Sequence, residues 1–340
     1  MNDQAKLAVC MPAYNAEQTI RASIDSILSQ TYPDFTFVIT DDCSTDNTAS
    51  IVNEYDDDRI VLLRNRTNLG PADIRNKMRD YCIEHGFEYM ALMDADDLAF
   101  PKRLEKQLAI LESDGSLSAS GSGMEMEQHG GQWLSPKGSD AIKAEAIFAN
   151  PVPTPMIIFR VRDIGERGLG WDHNMVPCDD YHLWYKFLYV ENLKADSTGD
   201  IQGIYKHSPE GVSHKNGISS QELKDAQVKA AILRLFGIEV DDDAAFRFMK
   251  VGLKRRATPA DIETFIDIGK KLINSESGLV DQTILLEALA DRSNWILASH
   301  SGLNLRQRIF IYRHFLKERS LLVDATKALG RKVLGRIRAN

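Results

Sequence analysis

The chain has 340 residues, 43% of them apolar and 26% charged, which suggests about two domains and excludes low-complexity disorder. No apolar run approaches the roughly 20 residues that span a bilayer, and the opening MNDQAK does not read as a signal peptide. Cys10, Cys43, Cys82 and Cys178 lie too far apart for CxxC metal clusters, so reduced thiols and a cytoplasmic setting are expected. The first hundred residues then alternate strand and helix. Leu7–Met11 is a continuous apolar run, as in a strand buried on both faces. Ile20, Ile24, Ile27 and Leu28 share one helix face. Strands are predicted at 35–40, 60–63 and 89–93. Helices are predicted around Ile51–Tyr55 and from Pro71 through Cys82. Such alternation implies an α/β fold with a parallel sheet and right-handed crossovers.

Beyond a helix at Pro101–Ser113 the pattern loosens. Gly115–Gly123 is rich in Gly and Ser and is expected to be a loop leading into a strand. Asn150-Pro-Val-Pro-Thr-Pro155 cannot be helix interior. A strand is expected at Met156–Phe159 and a helix at Tyr181–Tyr189. From about Ser219 every signal is helical, and Thr258-Pro-Ala-Asp261 is a strong helix start. The expected division is 1–218 for an α/β domain and 219–340 for an all-helical C-terminal domain.

The net charge of −8 conceals an asymmetry. Residues 306–340 carry ten Lys/Arg against Glu318 and Asp324, so the first 305 residues hold −16. A nucleic-acid partner is therefore not expected for the main body. Leu329, Val333 and Ile337 form a stripe among Lys327, Arg331, Lys332, Arg336 and Arg338. That pattern fits peripheral contact with an anionic membrane face. Packing in a homo-oligomer is the other reading.

Three polar clusters directly follow apolar strands: Pro12-Ala13-Tyr14-Asn15, Asp41-Asp42-Cys43-Ser44 and Asp94-Ala95-Asp96-Asp97. Sheet topology would gather them at the carboxyl edge, where ligands bind. Carboxylates crowded there need a cation. In extended chain Asp94 and Asp96 would share a face, and paired hard oxygens suit Mg²⁺ or Mn²⁺ completed by a diphosphate. Each cluster alone is an ordinary turn or cap; the three together in this order are not.

These segments resemble the inverting family 2 glycosyltransferases of GT-A fold. The resemblance runs through VCMPAYNAEQTIRASIDSILSQTYPDF, DDCSTDNT, NLGPADIRN and MDADD with its following Pro101. It is dense over residues 4–115, patchy to about 215, and departs at Cys43, where glycine is usual. It implies a Rossmann-like, mostly parallel central sheet and a nucleotide-sugar donor, most often a UDP-sugar. By that likeness Asp42 would accept from the uracil imide N–H, with Pro12, Ala13 and Tyr14 flanking the base. Arg75 and Ala95 would lie at the donor. Asp96 would be the main ligand of Mn²⁺ or Mg²⁺, with Asp94 on the ribose or the metal. Pro177-Cys-Asp-Asp-Tyr-His-Leu-Trp184 resembles the family's Glu-Asp segment, which makes Asp180 the general base that activates an acceptor hydroxyl. Asp179 and Asp180 would otherwise serve as charges at a helix N-terminus. Trp184 reads as core. Tyr205-Lys-His207 resembles a late motif whose histidine ligates metal or touches diphosphate, though His214 lies close and either could be a loop residue.

The acceptor implied is a glycan or lipid-linked glycan in surface-polysaccharide synthesis, at the inner membrane face. Two alternatives remain at this level. A sugar-1-phosphate nucleotidyltransferase would carry a Gly-rich phosphate loop, which MPAYNAEQT lacks. A non-catalytic scaffold on a GT-A fold would not need Asp42, Asp96 and Asp180.

Overall fold

In a computed structural model the described residues are 5–127, 130–206 and 218–300, with 308, 311 and 315. The chain divides into two compact units. One comprises 1–146 and 150–228, and the other comprises 147–149 and 229–340. The sequence expectation set the division at 218. The contacts place it ten residues later, inside a helix, and assign Ile147–Ala149 to the helical unit.

The first unit is built on one mixed sheet. Its N-terminal half follows the predicted alternation: β1 (Leu7–Ala13), α1 (Ile20–Leu28), β2 (Phe35–Asp41), α2 (Thr48–Val52), β3 (Ile60–Arg64), α3 (Pro71–Glu84) and β4 (Tyr89–Leu92). Strands run in the order β3-β2-β1-β4, all parallel. The apolar runs of β1, β2 and β4 are buried because helices cover both faces, whereas the edge strand β3 is only half-buried. Val9, Met11, Ile24, Ile27, Phe37 and Ile39 are fully enclosed in one core.

The second half of the sheet departs from the reading of 115–123 as a loop. After β5 (Leu98–Ala99) and α4 (Arg103–Ser113), residues Leu117–Met126 form a long buried strand, β6. Its small residues are there for space, not for turning. A Cβ at Gly121 would lie 2.6 Å from Val152 Cγ1, and one at Gly123 would lie 2.6 Å from the Trp133 carbonyl oxygen. β7 (Gly131–Trp133) and β8 (Ile157–Arg160) pair with β6 antiparallel, whereas β9 (Lys194–Tyr205) runs parallel to it. β9 gives no apolar run in the sequence, because Asp, Ser, Thr and Gly interrupt it. Between these strands lie α5 (Ser139–Glu145), α6 (Val161–Glu166) and α7 (Asp179–Tyr185). α7 continues to Val190 as a wider helical turn, which accounts for the helical spacing through Tyr189.

Helix α8 (Ile218–Leu235) leads into the helical unit of α9 (Asp242–Gly252), α10 (Pro259–Ile273) and α11 (Gln282–Ser299). Phe148, Phe248, Phe265 and Phe315 form its aromatic centre, with ring centroids 5.5–6.4 Å apart. Thr258 and Asp261 close a reciprocal capping box on α10, as the sequence implied. No helix among the described residues is long and apolar enough to cross a membrane. The basic stripe at 327–338 lies outside the described residues.

Candidate active site

The sheet order reverses between β1 and β4, and the three polar clusters emerge at that switch point. Ala13 pairs with Asp41 and Cys10 with Leu92, so Tyr14, Asp42 and Asp94 all leave the sheet at one edge. The first two loops are stitched together. Asn15 N donates to Ser44 Oγ at 3.0 Å, and Thr45 N donates to Asn15 Oδ1 at 2.8 Å. Tyr14 is 47% exposed, Pro12 is half-buried, and Ala13 is buried.

Asp42 is buried and already engaged. Its carboxylate accepts from Asn65 Nδ2 at 2.6 Å, Leu69 N at 3.0 Å and Gly70 N at 3.0 Å. It therefore pins the 65–70 segment. A uracil N–H would have to share an oxygen with these donors. Asp41 accepts from Ser44 N at 3.1 Å and lies 3.4 Å from Arg64, which orients the same loop.

Asp94–Asp97 is a turn, not the extended stretch that the i, i+2 argument assumed: Asp97 N donates to the Asp94 carbonyl at 3.3 Å. The carboxylates are crowded by the turn itself. α1 fixes its backbone, since Thr19 and Ser23 hydroxyls each donate to the Ala95 carbonyl at 2.9 Å. Burial, and then the Asp94 charge, push the half-buried Asp96 carboxyl up to about 6. Burial and the Asp94 and Asp96 charges push Asp97 well above the usual range. Asp97 accepts from Lys206 N at 3.0 Å through Oδ1, and its buried Oδ2 has no hydrogen-bond partner among the described residues. Arg103, fully buried behind the turn, donates to the Leu92 carbonyl at 2.7 Å. Burial lowers its guanidinium to about 9 against the pull of Asp97 and Asp94. No group of three or more His, Cys, Asp and Glu forms a closed metal cage among the described residues. Crowded carboxylates with unpartnered hard oxygens do fit a dication that takes one or two protein ligands and completes its shell from phosphate and water.

Helix α3 joins this turn to the other side of the site. Arg75 lies 3.2 Å from Asp94 and 3.5 Å from Asp179. Burial works against its charge, but Asp94, Asp179 and Asp180 outweigh that and hold it cationic. Asn76 clasps the Trp171 backbone at 2.7 and 2.9 Å, and Arg79 donates to the Leu169 carbonyl at 2.7 Å. Asp179 and Asp180 open α7, where the helix N-terminus favours anions. Asp180 Oδ2 accepts from Asn150 Nδ2 at 2.7 Å and Thr154 Oγ1 at 2.9 Å, and its Oδ1 accepts from Tyr181 N at 2.7 Å. Burial and the Asp179 charge push Asp180 up to about 6, against the Thr154 and Tyr181 donors and Arg75. Trp184 is buried against Phe159 and Phe187, as core.

Residues 8–165 match the family model described as Glycosyl transferase family 2. Uncharacterized glycosyltransferase MJ1057 of Methanocaldococcus jannaschii is 32% identical over 205 residues, 56% of this chain and 70% of that protein. The chain belongs to glycosyltransferase family 2. Putative glycosyltransferase EpsE of Bacillus subtilis is 43% identical over 128 residues, 36% of this chain, and the chain spans only 45% of that relative. WfgD of Escherichia coli is a UDP-Glc:alpha-D-GlcNAc-diphosphoundecaprenol beta-1,3-glucosyltransferase. It is 28% identical over 264 residues, 75% of this chain and 96% of that protein. In fold, the chain is similar to residues 1–349 of S. aureus TarS in complex with UDP-GlcNAc. The TM-score is 0.56 and the identity 18%, over 90% of this chain and 89% of that one.

In this family 2 glycosyltransferase the fold brings Tyr14, Asp42, Arg75, Asp94, Asp96 and Asp180 to one end of the first unit. His207 and His214 lie outside the described residues, although Lys206 beside Asp97 carries the chain to the carboxylate turn. Sequence reasoning missed Asn76, Arg103, Asn150 and Thr154. Asn76 stood inside the quoted NLGPADIRN motif. The other three hold backbone or carboxylate from a distance and left no local signal.

Proposed function

We propose that this glycosyltransferase is metal-dependent and inverting, and moves a sugar from a UDP-sugar to a lipid-linked glycan in surface-polysaccharide synthesis. The observation that carries the reading is Arg75, which lies within ion-pair distance of both the Asp94 turn and the Asp179–Asp180 helix start. Donor-side and acceptor-side carboxylates thereby sit within reach of one reaction centre. The UDP-Glc donor and diphosphoundecaprenol acceptor in the name of WfgD, and the UDP-GlcNAc bound by TarS, support the choice of substrates.

Asp96, with Asp94 beside it, would hold Mn²⁺ or Mg²⁺ together with the donor diphosphate, and His207 is a candidate further ligand. When bound, the dication offsets the charge gathering on the departing diphosphate. Pro12, Ala13 and the exposed Tyr14 would flank the uracil, with Asp42 shaping the loop behind it, Ala95 at the donor and Asp94 on the ribose or the metal. Asp180 would take the proton from the acceptor hydroxyl as that oxygen bonds to the anomeric carbon. The bond from that carbon to the diphosphate oxygen breaks on the opposite face, so the anomeric configuration inverts. The basic C-terminal stretch would rest on anionic lipid, and self-association is the other use for it.

Incubation with a panel of sugar nucleotides and Mn²⁺ tests the reading. Slow release of UDP and free sugar supports it. Consumption of nucleoside triphosphate with sugar 1-phosphate would instead favour a nucleotidyltransferase, and silence on every donor a scaffold.

A further inference from the structure

We propose that Asn150 and Thr154 are positioning residues that aim the Asp180 carboxylate and keep it ionised, so that Oδ1 is the atom that receives the acceptor proton. The proposal rests on Asp180 being the base. Its footing is the Asn150-Pro-Val-Pro-Thr-Pro155 stretch. Three alternating prolines fix φ and remove backbone donors. The segment is held as irregular chain up to the short 3₁₀ turn at Thr154–Met156 that enters β8. That shape delivers two side-chain donors, four residues apart, to a single oxygen.

Both donors fall on Oδ2, at 2.7 Å from Asn150 Nδ2 and 2.9 Å from Thr154 Oγ1. Thr154 is buried and Asn150 half-buried. A carboxylate oxygen has two lone pairs in its plane, so Oδ2 is saturated. Among the described residues Oδ1 accepts from Tyr181 N alone, which leaves it one lone pair. Three donors on two oxygens also fix the rotation of the carboxylate, which a base needs to meet its proton in line.

The charged groups around Asp180 pull in both directions. Asp179, next to it on α7, favours protonation, and Arg75 from α3 opposes it. Asp94 shares Arg75, and Lys224 of α8 acts on Asp179. Arg75 is thus divided among three carboxylates. The neutral donors Asn150 and Thr154 serve Asp180 alone in this set, and hydrogen bonds to the ionised form lower a carboxyl's protonation midpoint.

The test uses full-length protein labelled with [4-¹³C]aspartate, with the Asp180 signal assigned by its loss in Asp180→Asn. The wild-type carboxyl should titrate at about 6. In Thr154→Val, and separately in Asn150→Leu, the midpoint should rise by about one pH unit, a tenfold smaller ionised fraction below it. Thr154→Ser, which keeps the hydroxyl, should titrate as wild type. The acid limb of UDP release from UDP-glucose should move with each midpoint. Unmoved midpoints in folded Thr154→Val and Asn150→Leu overturn the proposal, even if activity falls evenly across pH. Should Thr154→Val not fold, as judged by its thermal melt, Asn150→Leu decides alone. Near-normal transfer by Asp180→Asn would sink the base assignment itself. A dead Asp180→Asn with unmoved midpoints sinks only the positioning role.

Discussion

Cys43 sits in the left-handed region with φ of 65°, at the turn between the β2 carboxylates and the loop that Asp42 pins. An L side chain there crowds its own backbone, and glycine does not. The resemblance to family 2 singles out the same position, because glycine is usual in that motif. Among the described residues the thiol makes one long contact, 3.6 Å, to the Arg66 carbonyl. Cys43→Gly is therefore expected to stabilise the protein by about 0.5–1 kcal/mol, once strain relief is set against the added entropy of the unfolded chain. Urea unfolding of the two proteins measures it, and a destabilised Cys43→Gly would show that the turn gains from its thiol. Asp180 gives a second prediction at this scale. Its carboxyl titrates at about 6, above the ordinary 3.8, so the fold favours the protonated form. The stability it contributes is full below 3.8 and is lost as pH rises through about 6. Activity runs the other way, because the base works only when ionised: kcat/KM should fall below about pH 6. Asp180→Asn should keep donor binding and lose transfer by roughly 10²–10⁴-fold. A variant within threefold of wild type would remove Asp180 from the chemistry.

Among elements, those legible in the sequence were the ones whose periodicity came from burial. β1, β2 and β4 read as apolar runs because helices cover both faces of a parallel sheet, and α1 read as an apolar stripe because only one face is covered. β6 and β9 were illegible for the opposite reason. Their neighbours approach so closely that Gly and Ser fill the inward positions, and small polar residues carry no period. Gly123→Ala tests that account, since its Cβ would lie 2.6 Å from a backbone oxygen that cannot turn aside. It should cost about 1–3 kcal/mol, the range for overpacking. Gly115→Ala, with nothing within 4 Å of its Cβ, should be nearly neutral. Similar losses in both would mean that backbone freedom, not space, decides. The same limit applied to the site. Asp42, Asp94 and Asp96 drew notice because their clusters directly follow strands, and Asp180 only through the family resemblance of its segment. Asn150 and Thr154 were not, because they meet Asp180 only after the chain has folded back across some 26–30 positions. Caps are local and so were readable. Thr258→Ala should lower stability by about 1 kcal/mol through loss of the box that opens α10. A thermal melt with no shift would mean that the helix end is held by other contacts.

At the scale of the whole molecule, charge is unevenly spread. The first 305 residues carry −16, and the carboxylates gathered at one sheet edge are those on which the proposed metal dependence rests. The last 35 residues carry +8, the charge on which the proposed contact with anionic lipid rests. Full-length protein should float with anionic vesicles at low salt, and a chain ending at Asp324 should not; equal flotation would leave the tail as a packing element. The central claim is metal-dependent transfer with inversion, and proton NMR of a single reaction reaches it most directly. Full-length protein, Mn²⁺, α-configured UDP-glucose and a short-chain GlcNAc-diphospholipid are followed at the anomeric signals. The account predicts a β-linked product that forms with Mn²⁺, and no product with EDTA or in Asp96→Asn. An α-linked product, or undiminished turnover in EDTA, would contradict it.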